Sequence, residues 1–523
     1  MFNSKQKQRM NKIKLMGCMG ILTLALGMTA CSSDDDNDNG GGGTNTGYVW
    51  TTDGGVKACD HLLFNEGKDD ANGTEIGTGE KQFVFKGKQT LKKGVYSLRG
   101  WVYVADGAEL TIEPGAIIKG EKQSMAAIIV ERGGKLIAQG TESEPIVFTS
   151  AQAKGSRKPG DWGGIILCGK AKNNQNEMQI EGGPRTKHGG DNDADNSGVL
   201  SYVRIEYAGY PFEKDKEING LTLGSVGSGT KIDHVQVSYS NDDSYEWFGG
   251  AVNCKYLIAY KGWDDDFDTD NGFNGSVQFG LSVRDSRIAD TSQSNGFESD
   301  NCADGTAVSP FTTAKFSNIT FVGPKYDANF QNTTDYINGG GENPNNGAAL
   351  GKFQSAMHIR RNSRLNCYNS VAIGWPIGLI LDNEKGDTQG AATGGNLQLK
   401  NIWFANMDVV GTDANKTYTD NLVTGYDADK KPILDTTKPS FSSSFFLAQP
   451  TCKKADLASL MLTDAAITGI PFMPAAASPL LGAAAFDGLN NSWFTTVSYI
   501  GAFSANDTWM NGWTNFDPQN TEY

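Results

Sequence analysis

The chain has 523 residues, of which 65 are Gly and 16 are Pro, and its formal net charge at pH 7 is −14. This length excludes a single small domain, the lack of a Gly-X-Y period excludes collagen, and an aromatic content of 10% argues against a disordered chain. Nucleic acid is excluded as a partner, because binding it requires Lys and Arg side chains that neutralise phosphates.

Residues 1–30 are predicted to be a lipoprotein signal peptide. Basic residues between Lys5 and Lys14 precede an apolar run at 15–30, which is the order of regions in a secretory signal. The run ends in Met28-Thr29-Ala30-Cys31, which resembles the bacterial lipobox, where the Cys thiol receives diacylglycerol. The resemblance implies that Cys31 is acylated and anchors the mature chain in a membrane. The alternative is an ordinary signal peptide followed by an incidental Cys.

An acidic and Gly-rich tether is predicted for residues 31–48. The stretch Ser32-Ser33-Asp34-Asp35-Asp36-Asn37-Asp38 resembles the export tag that sends lipoproteins of the Bacteroidetes to the extracellular face of the cell outer membrane. A solvated acidic linker is the alternative. Removing the five basic residues of the signal peptide changes the net charge from −14 to about −19, so the mature surface repels other anions unless divalent cations intervene.

The cysteines of the mature chain match no metal-binding motif. Beyond Cys31 they are Cys59, Cys168, Cys254, Cys302, Cys367 and Cys452. We interpret most of them as buried thiols packed as small hydrophobic side chains, and disulfides formed in an oxidising exterior are the alternative. No stretch outside the signal peptide reaches the about 18 apolar residues of a membrane-spanning helix.

A repeated strand pattern predicts an all-β fold in which each coil stacks on the next. Residues 106–112 match residues 132–138, and the strand at 202–207 recurs at 234–239 and at 256–260. Short strands with period-two alternation at a coil-length spacing favour a parallel β-helix, since each coil covers the apolar face of its neighbour.

A third series of strands begins at Asn318, Asn369 and Asn401. Stacked side-chain amides in the turns explain this repetition, and a simple turn preference of Asn explains it nearly as well. Because a solenoid needs covered ends, we predict an N-terminal cap at 49–85, the β-helix at 86–411 and a C-terminal cap at 412–523 that also packs along one flank.

A family resemblance supports the same fold. It is carried by Gly115, Pro145-Ile146-Val147-Phe148-Thr149-Ser150, Gly160-Asp161-Trp162-Gly163-Gly164, Asp195-Asn196-Ser197-Gly198, Asp242-Asp243-Ser244-Tyr245-Glu246-Trp247-Phe248-Gly249-Gly250 and Trp513-Thr514-Asn515-Phe516. Together these segments resemble a large, largely uncharacterised group of secreted or lipid-anchored bacterial proteins with a right-handed parallel β-helix of the pectate-lyase-like kind. The resemblance covers about residues 85–320 and the C-terminal end, and implies the fold rather than an activity.

Acidic residues are concentrated in three segments that align without gaps, 242–249, 264–271 and 294–301. A fourth segment, 377–383, keeps the Asp-Asn pair but lacks the acid at the Glu298 position. If all four are equivalent places on successive coils, Tyr245, Phe267, Phe297 and Leu379 point inward. Alternation then points Glu246, Asp268 and Glu298 outward. Neighbouring strands lie about 4.8 Å apart, so these like charges repel one another unless something offsets them.

A bound divalent cation is the simplest way to offset the repulsion between these carboxylates, and ligand sets made only of oxygens suit Ca²⁺. The predicted metal ligands are Asp264, Asp266, Asp268, Asp270 and Asp300. A second run, Asp191-x-Asp193-x-Asp195, has the same spacing, and neither run has the Gly and Glu positions of an EF-hand. The alternative is that the acids are hydrated turn residues with raised pKa values.

Two functions remain open. One is a surface lipoprotein that binds a glycan or a protein partner along its sheet face, as an accessory of an outer-membrane import complex, and the other is a Ca²⁺-assisted polysaccharide lyase or glycoside hydrolase. The predicted ligand-binding residues are Glu246, Trp247, Trp263, Asp268 and Glu298, the two Trp serving as stacking surfaces. His358 is interpreted as a strand residue rather than a ligand. No Gly-His-Gly, Gly-x-Ser-x-Gly or P-loop occurs, so the catalytic residues stay unassigned.

Overall fold

Two long sheets of parallel strands are built from the predicted coil repeats. The computed structural model describes residues 48–65, 68, 72–180, 183–213, 216–339, 350–489 and 492–523. The predicted signal peptide, the acylation of Cys31 and the tether up to residue 47 lie outside the described residues. The repeats at 106–112 and 132–138 pair as predicted, with Leu110 opposite Leu136.

Sheet A has 13 strands. They are Thr51–Asp53, Val56–Cys59, Gln82–Phe85, Trp101–Val104, Ala127–Val130, Gly164–Cys168, Leu221–Gly224, Tyr245–Phe248, Phe267–Asp270, Phe297–Ser299, Ser355–Ile359, Ile377–Leu381 and Val409–Thr412. All neighbouring pairs are parallel after the first, in which Thr51–Asp53 lies antiparallel to Val56–Cys59.

Sheet B has 16 strands. Its main path contains Leu63–Phe64, Glu75–Ile76, Val95–Leu98, Ile117–Gly120, Ile146–Ser150, Gly198–Glu206, Lys231–Ser238, Asn253–Tyr260, Ser276–Val283, Lys315–Val322, Asn366–Ile373, Leu399–Ala405 and Lys453–Ala455. A side path contains Lys88–Leu91, Glu109–Ile112 and Lys135–Gln139. The register pairs Val203 with Val235 and Val235 with Leu257, as the second repeat series predicts.

The remaining elements are short. The two-stranded pairs are Met178–Gln179 with Lys187–His188, Pro211–Glu213 with Lys216–Glu217, Leu422–Tyr426 with Pro432–Asp435, and Leu462–Thr463 with Met473–Pro474. The α-helices are Thr334–Asn338, Thr388–Thr393 and Phe441–Ala448, and the 3₁₀ turns are Pro324–Tyr326, Ala458–Leu460 and Pro518–Asn520. No helix among the described residues is long and apolar enough to cross a membrane.

Each long strand of sheet B bends at one residue with a left-handed backbone. The positions are Tyr202, His234, Tyr256, Phe279, Asn318, Asn369 and Asn401, with φ between 47° and 63°. Asn tolerates this conformation better than most residues, and the amide Nδ2 of Asn401 donates to Oδ1 of Asn369 at 2.9 Å. The predicted stacking of side-chain amides is therefore confirmed for this pair, but the two residues lie within strands rather than in turns.

The C-terminal segment (residues 456–523) packs on the outer face of sheet B. Phe472, Phe503 and Trp513 form one apolar cluster with Ile258 and Leu281 of the sheet. Packing along one flank is thus seen in the structure. The predicted β-helix bounds of 86 and 411 are too narrow, because parallel pairing starts at Val56–Cys59 and includes Lys453–Ala455.

The six cysteines that remain in the described chain are free and buried. Burial raises the pKa of the Cys168 and Cys367 thiols to about 12, so both are neutral at physiological pH. The interpretation as packed thiols is confirmed.

Candidate functional site

A column of acidic side chains crosses the outer face of sheet A. The register places Glu246 beside Asp268 and Asp268 beside Glu298, which confirms the gap-free alignment of their segments. We call these three residues the acidic column. His358 continues the column on the next strand beside Glu298.

The opposite face of the same strands fills the core. The rings of Tyr245 and Phe267 lie 5.5 Å apart, and those of Phe267 and Phe297 lie 6.0 Å apart. Leu379 follows after Met357, and both are buried. The predicted inward stack is therefore confirmed, and its packing fixes which strand face carries the acids.

Two acidic turns lie immediately before the strands of the column. One contains Asp242 and Asp243, and the other contains Asp264 and Asp265. The Asp243 carboxylate accepts a 2.8 Å hydrogen bond from the backbone N–H of Asp265, so the two turns are directly linked. We call the column and these turns the acidic patch. Asp242, Asp243 and Asp265 were absent from the predicted site, although the alignment of 242–249 with 264–271 already placed them together.

The carboxyl groups of the acidic patch destabilise one another's charged form. Burial, together with neighbouring carboxylates, holds the pKa of Asp243, Asp265 and Asp268 well above the usual range. Burial and the nearby Asp300 raise the pKa of Asp270 to about 8. A bound cation would offset this repulsion, because an opposite charge favours the ionised carboxylate.

Two buried oxygens of the patch have no hydrogen-bond partner among the described residues. Oδ2 of Asp264 accepts from the Ser292 hydroxyl at 2.7 Å. Oδ1 of Asp264 and Oδ1 of Asp268 are buried and accept no hydrogen bond from the described residues. Because buried polar atoms normally have partners, these oxygens are suited to coordinate a hard cation such as Ca²⁺.

A basic edge borders the patch on the side of Glu298. Arg360 forms ion pairs with Glu298 and with Asp300, where its Nε lies 2.9 Å from Oδ1. Arg361 also pairs with Asp300, at 2.6 Å. Burial opposes ionisation of Glu298, but Arg360 and His358 outweigh it and lower the pKa of Glu298 to about 2. Glu298 is therefore charged at neutral pH.

His358 joins this edge from the next strand of sheet A, where it lies beside Glu298. Its side chain is fully buried, Nδ1 lies 3.4 Å from Glu298 Oε2, and Nε2 lies 3.8 Å from Asp382 Oδ2. His358 is a strand residue, as predicted, but it also positions the Glu298 carboxylate. Sequence reasoning missed this contact because about 60 residues, among them the sheet B strand Lys315–Val322, separate Glu298 from His358 in the chain.

The outer face of sheet A is covered on both sides of the acidic column. Towards the N-terminus, Tyr103 and Ile166 are buried, and the Arg185 guanidinium lies over the Tyr103 ring at 5.0 Å. Towards the C-terminus, Ile380 is buried and Ser442 accepts from the backbone N–H of Leu381 at 3.0 Å. The column lies between these covers and remains in contact with solvent, since the Glu298 side chain is 16% exposed.

Two residues predicted to bind a ligand are buried and cannot reach one. Trp247 and Trp263 are both 0% exposed, so neither offers a stacking surface to a ligand. Trp247 packs 5.4 Å from the Phe273 ring in the core. The prediction of a stacking role is therefore wrong for both residues. For Trp247 the reason is strand alternation, which points Glu246 outward and Trp247 inward.

Asp266 is also wrong as a predicted metal ligand. Its Oδ1 pairs with the Arg284 guanidinium at 2.9 Å, and both side chains are 0% exposed. Its Oδ2 accepts a short hydrogen bond from Ser282. Asp266 lies before the strand Phe267–Asp270 begins, so the spacing of two does not place it beside Asp268.

The other predicted metal ligands lie in or beside the patch. Asp264 and Asp268 belong to it, whereas Asp270 and Asp300 lie at its basic edge. The second acidic run is separate: Asp193 pairs with Lys172 at 3.0 Å, and Asp195 is buried beside Ser197.

Comparison with known proteins identifies the family of this chain. The model of the pectate-lyase-like β-helix domain matches residues 84–440. The chain belongs to this family. No curated protein matches it. Among solved structures it is similar to the Dettilon tailspike protein (gp208), with 14% identity, a TM-score of 0.23 and coverage of 62% of this chain and 60% of the tailspike chain.

Proposed function

We propose that this protein is a lipoprotein of the cell outer membrane, anchored through Cys31 and displayed on the extracellular face, which binds a glycan at the acidic patch with the help of Ca²⁺. The single observation that carries the binding site is the acidic column, three carboxylates on neighbouring strands where the cover of sheet A is interrupted. The lipobox and the acidic tag support the location, and the pectate-lyase-like fold supports a polysaccharide ligand.

Charge determines how such a ligand would be held. The chain is strongly acidic, with a net charge of −14, and the patch adds closely spaced carboxylates. A glycan approaching this surface needs a cation between its oxygens and the protein. Glu246, Asp264 and Asp268 would hold Ca²⁺, and Glu298 would accept hydrogen bonds from sugar hydroxyl groups. Asp270 and Asp300 would act at the basic edge.

A second candidate, polysaccharide cleavage, is favoured by one specific observation. Carboxyl groups on two adjacent strands have pKa values shifted in opposite directions, about 2 for Glu298 and about 8 for Asp270. Pairs of this kind supply the base and the acid of glycoside chemistry. Ion pairing of Glu298 with Arg360 makes Glu298 a weak base, so binding remains the first proposal.

A glycan array probed with the full chain separates the two candidates. We expect retention of an acidic or hydroxyl-rich glycan with millimolar Ca²⁺, loss of retention with chelator, and no shortening of the glycan. Glu298→Gln should weaken retention, while Asp106→Asn, an exposed acid elsewhere on the chain, should not. Shortened products would establish the cleavage candidate, and Ca²⁺-independent retention would contradict the proposed role of the patch.

Anchoring is tested separately. Cys31→Ala should release the protein from membranes, because the diacylglycerol attachment is lost. External protease should digest the unaltered protein on intact cells. Resistance on intact cells together with digestion after lysis would contradict surface display and leave acylation standing.

A protein partner is the alternative ligand, in an accessory role to an outer-membrane import complex. Crosslinking of intact cells followed by affinity purification of the full chain should recover such a partner. Recovery that depends on Glu246 and Asp268 would place the partner at the acidic patch rather than elsewhere on the β-helix.

A further inference from the structure

Five carboxylates of the acidic patch fall into two groups that share one residue. In the first group, one oxygen each of Asp242, Asp243 and Asp264 lies within 4.8 Å of the other two. In the second group, one oxygen each of Asp243, Glu246 and Asp268 meets the same limit. Ca²⁺ binds oxygens at about 2.3–2.6 Å, so two ligands of one ion lie at most about 5 Å apart. Both groups satisfy this limit.

Charge balance favours more than one ion. Two carboxylates about 5 Å apart repel each other by about 3 kcal/mol at an effective dielectric constant of 20. Spread over two adjoining groups, the five carboxylates give each divalent ion two or three anionic ligands, which suits Ca²⁺.

Two neutral oxygens beside Glu246 point to a ligand independently of the acids. Asn219 is 1% exposed, its Nδ2 donates a short hydrogen bond to Glu246, and its Oδ1 has no partner among the described residues. Thr222 is 0% exposed, lies next to Glu246 in the outward column, and its Oγ1 also has no partner there. Amide and hydroxyl oxygens complete the coordination of Ca²⁺ in proteins.

Asp243 is held in the orientation that a shared ligand requires. It is 8% exposed, and its Oδ1 accepts the backbone N–H of Asp265 at 2.8 Å. A carboxylate offers about four lone-pair sites, so this hydrogen bond leaves others for cations on either side.

We propose that the acidic patch holds two Ca²⁺ ions bridged by Asp243, one with Asp242 and Asp264 and the other with Glu246, Asp268 and the oxygens of Asn219 and Thr222. This inference deepens the proposed function, since it concerns the same site.

The test is isothermal titration of the chelator-stripped full chain with CaCl₂. We expect two ions per chain. Asp264→Asn should remove the first ion and Asp268→Asn the second, so that each variant binds one. Asp243→Asn should weaken both by at least about tenfold in Kd, which corresponds to about 1.4 kcal/mol. Asp106→Asn is the matched control and should keep two. Circular dichroism of each variant checks the fold.

One ion in the unaltered chain would overturn the inference. So would complete loss of binding in both Asp264→Asn and Asp268→Asn, because that result means one common site. Two ions without retention of any glycan would leave the inference standing and contradict the proposed glycan binding. One ion together with Ca²⁺-dependent glycan retention would overturn the two-ion inference and leave the proposed glycan binding standing.

Discussion

The outer face of sheet B is covered by the C-terminal segment, whereas the outer face of sheet A is open at the acidic patch. On sheet B, the Gln236 side chain donates to the backbone oxygen of Asn515 at 2.7 Å and accepts from its N–H at 2.9 Å. Gln278 pairs in the same way with Thr495, at 2.7 and 2.8 Å. Each amide thus satisfies both hydrogen-bonding groups of one residue.

On sheet A, the outward position Asp268 and the preceding turn residue Asp264 carry carboxylate oxygens that have no hydrogen-bond partner among the described residues. Both faces belong to the same coils, so the stacking of strands does not explain the difference. The covering segment does, because it supplies backbone partners to one face only. Outward polar residues on sheet B therefore stabilise the fold, and those of the patch are available for a ligand.

Removing the cover of sheet B should have the largest effect on stability. Trp513 is 0% exposed and packs against the His234 ring at 5.7 Å. We expect Trp513→Ala to lower the free energy of unfolding by about 3–5 kcal/mol, measured by denaturant titration. Leu447→Ala, at a side chain 58% exposed, should change it by less than about 0.5 kcal/mol. A similar small loss in Trp513→Ala would mean that the segment is not part of the stable fold.

Two acids two residues apart should respond in opposite directions. Asp266→Asn leaves the Arg284 guanidinium buried without its charge partner and should cost about 3–5 kcal/mol. Asp268→Asn removes a repelled carboxylate and, in chelator, should stabilise the chain by at least about 1 kcal/mol. Denaturant unfolding of both variants in one buffer checks this. Destabilisation by Asp268→Asn in chelator would show that its charge is already balanced within the fold.

A smaller effect is expected from His188, which covers sheet A beside Phe248. Burial, with a contribution from Arg132, lowers the pKa of His188 to about 3. Because the folded pKa lies below the unfolded value, stability is full above pH about 6.5 and is lost as pH falls towards 3. His188→Gln should reduce this loss by up to about 1.4 kcal/mol per pH unit. Parallel unfolding curves at pH 7, 6, 5 and 4 measure it, and identical slopes would contradict a buried neutral His188.

The sequence was sufficient where a residue lies within a strand. Alternation and coil spacing predicted the register of Glu246, Asp268 and Glu298, and the inward stack below them. The same alternation places Trp247 on the inward face with Tyr245, so the sequence already argued against a ligand-stacking role for Trp247. Local patterns also predicted the buried thiols and the stacked amides of Asn369 and Asn401.

The rest depends on contacts between distant segments. Asp266 precedes its strand, and its partner Arg284 directly follows the sheet B strand Ser276–Val283. No spacing rule indicates this pairing. His358 reaches Glu298 across a long coil, and the C-terminal segment contacts sheet B from about 200 to 300 residues away. Chain folding, rather than local pattern, therefore determines which acids of this protein are paired and which are free.

The melting temperature of the full chain with millimolar Ca²⁺ and with chelator tests the central claim most directly, namely that the acidic patch is a cation site. We expect Ca²⁺ to raise the melting temperature, since a ligand at a hundredfold excess over its Kd adds about 2.7 kcal/mol of stability. Mg²⁺ should act less, because it gives up its water reluctantly, and the double variant Asp268→Asn with Asp270→Asn should show a smaller response, because the group of Asp242, Asp243 and Asp264 still holds an ion. A melting temperature that is the same with Ca²⁺ and with chelator would contradict the claim and reduce these carboxylates to hydrated surface acids.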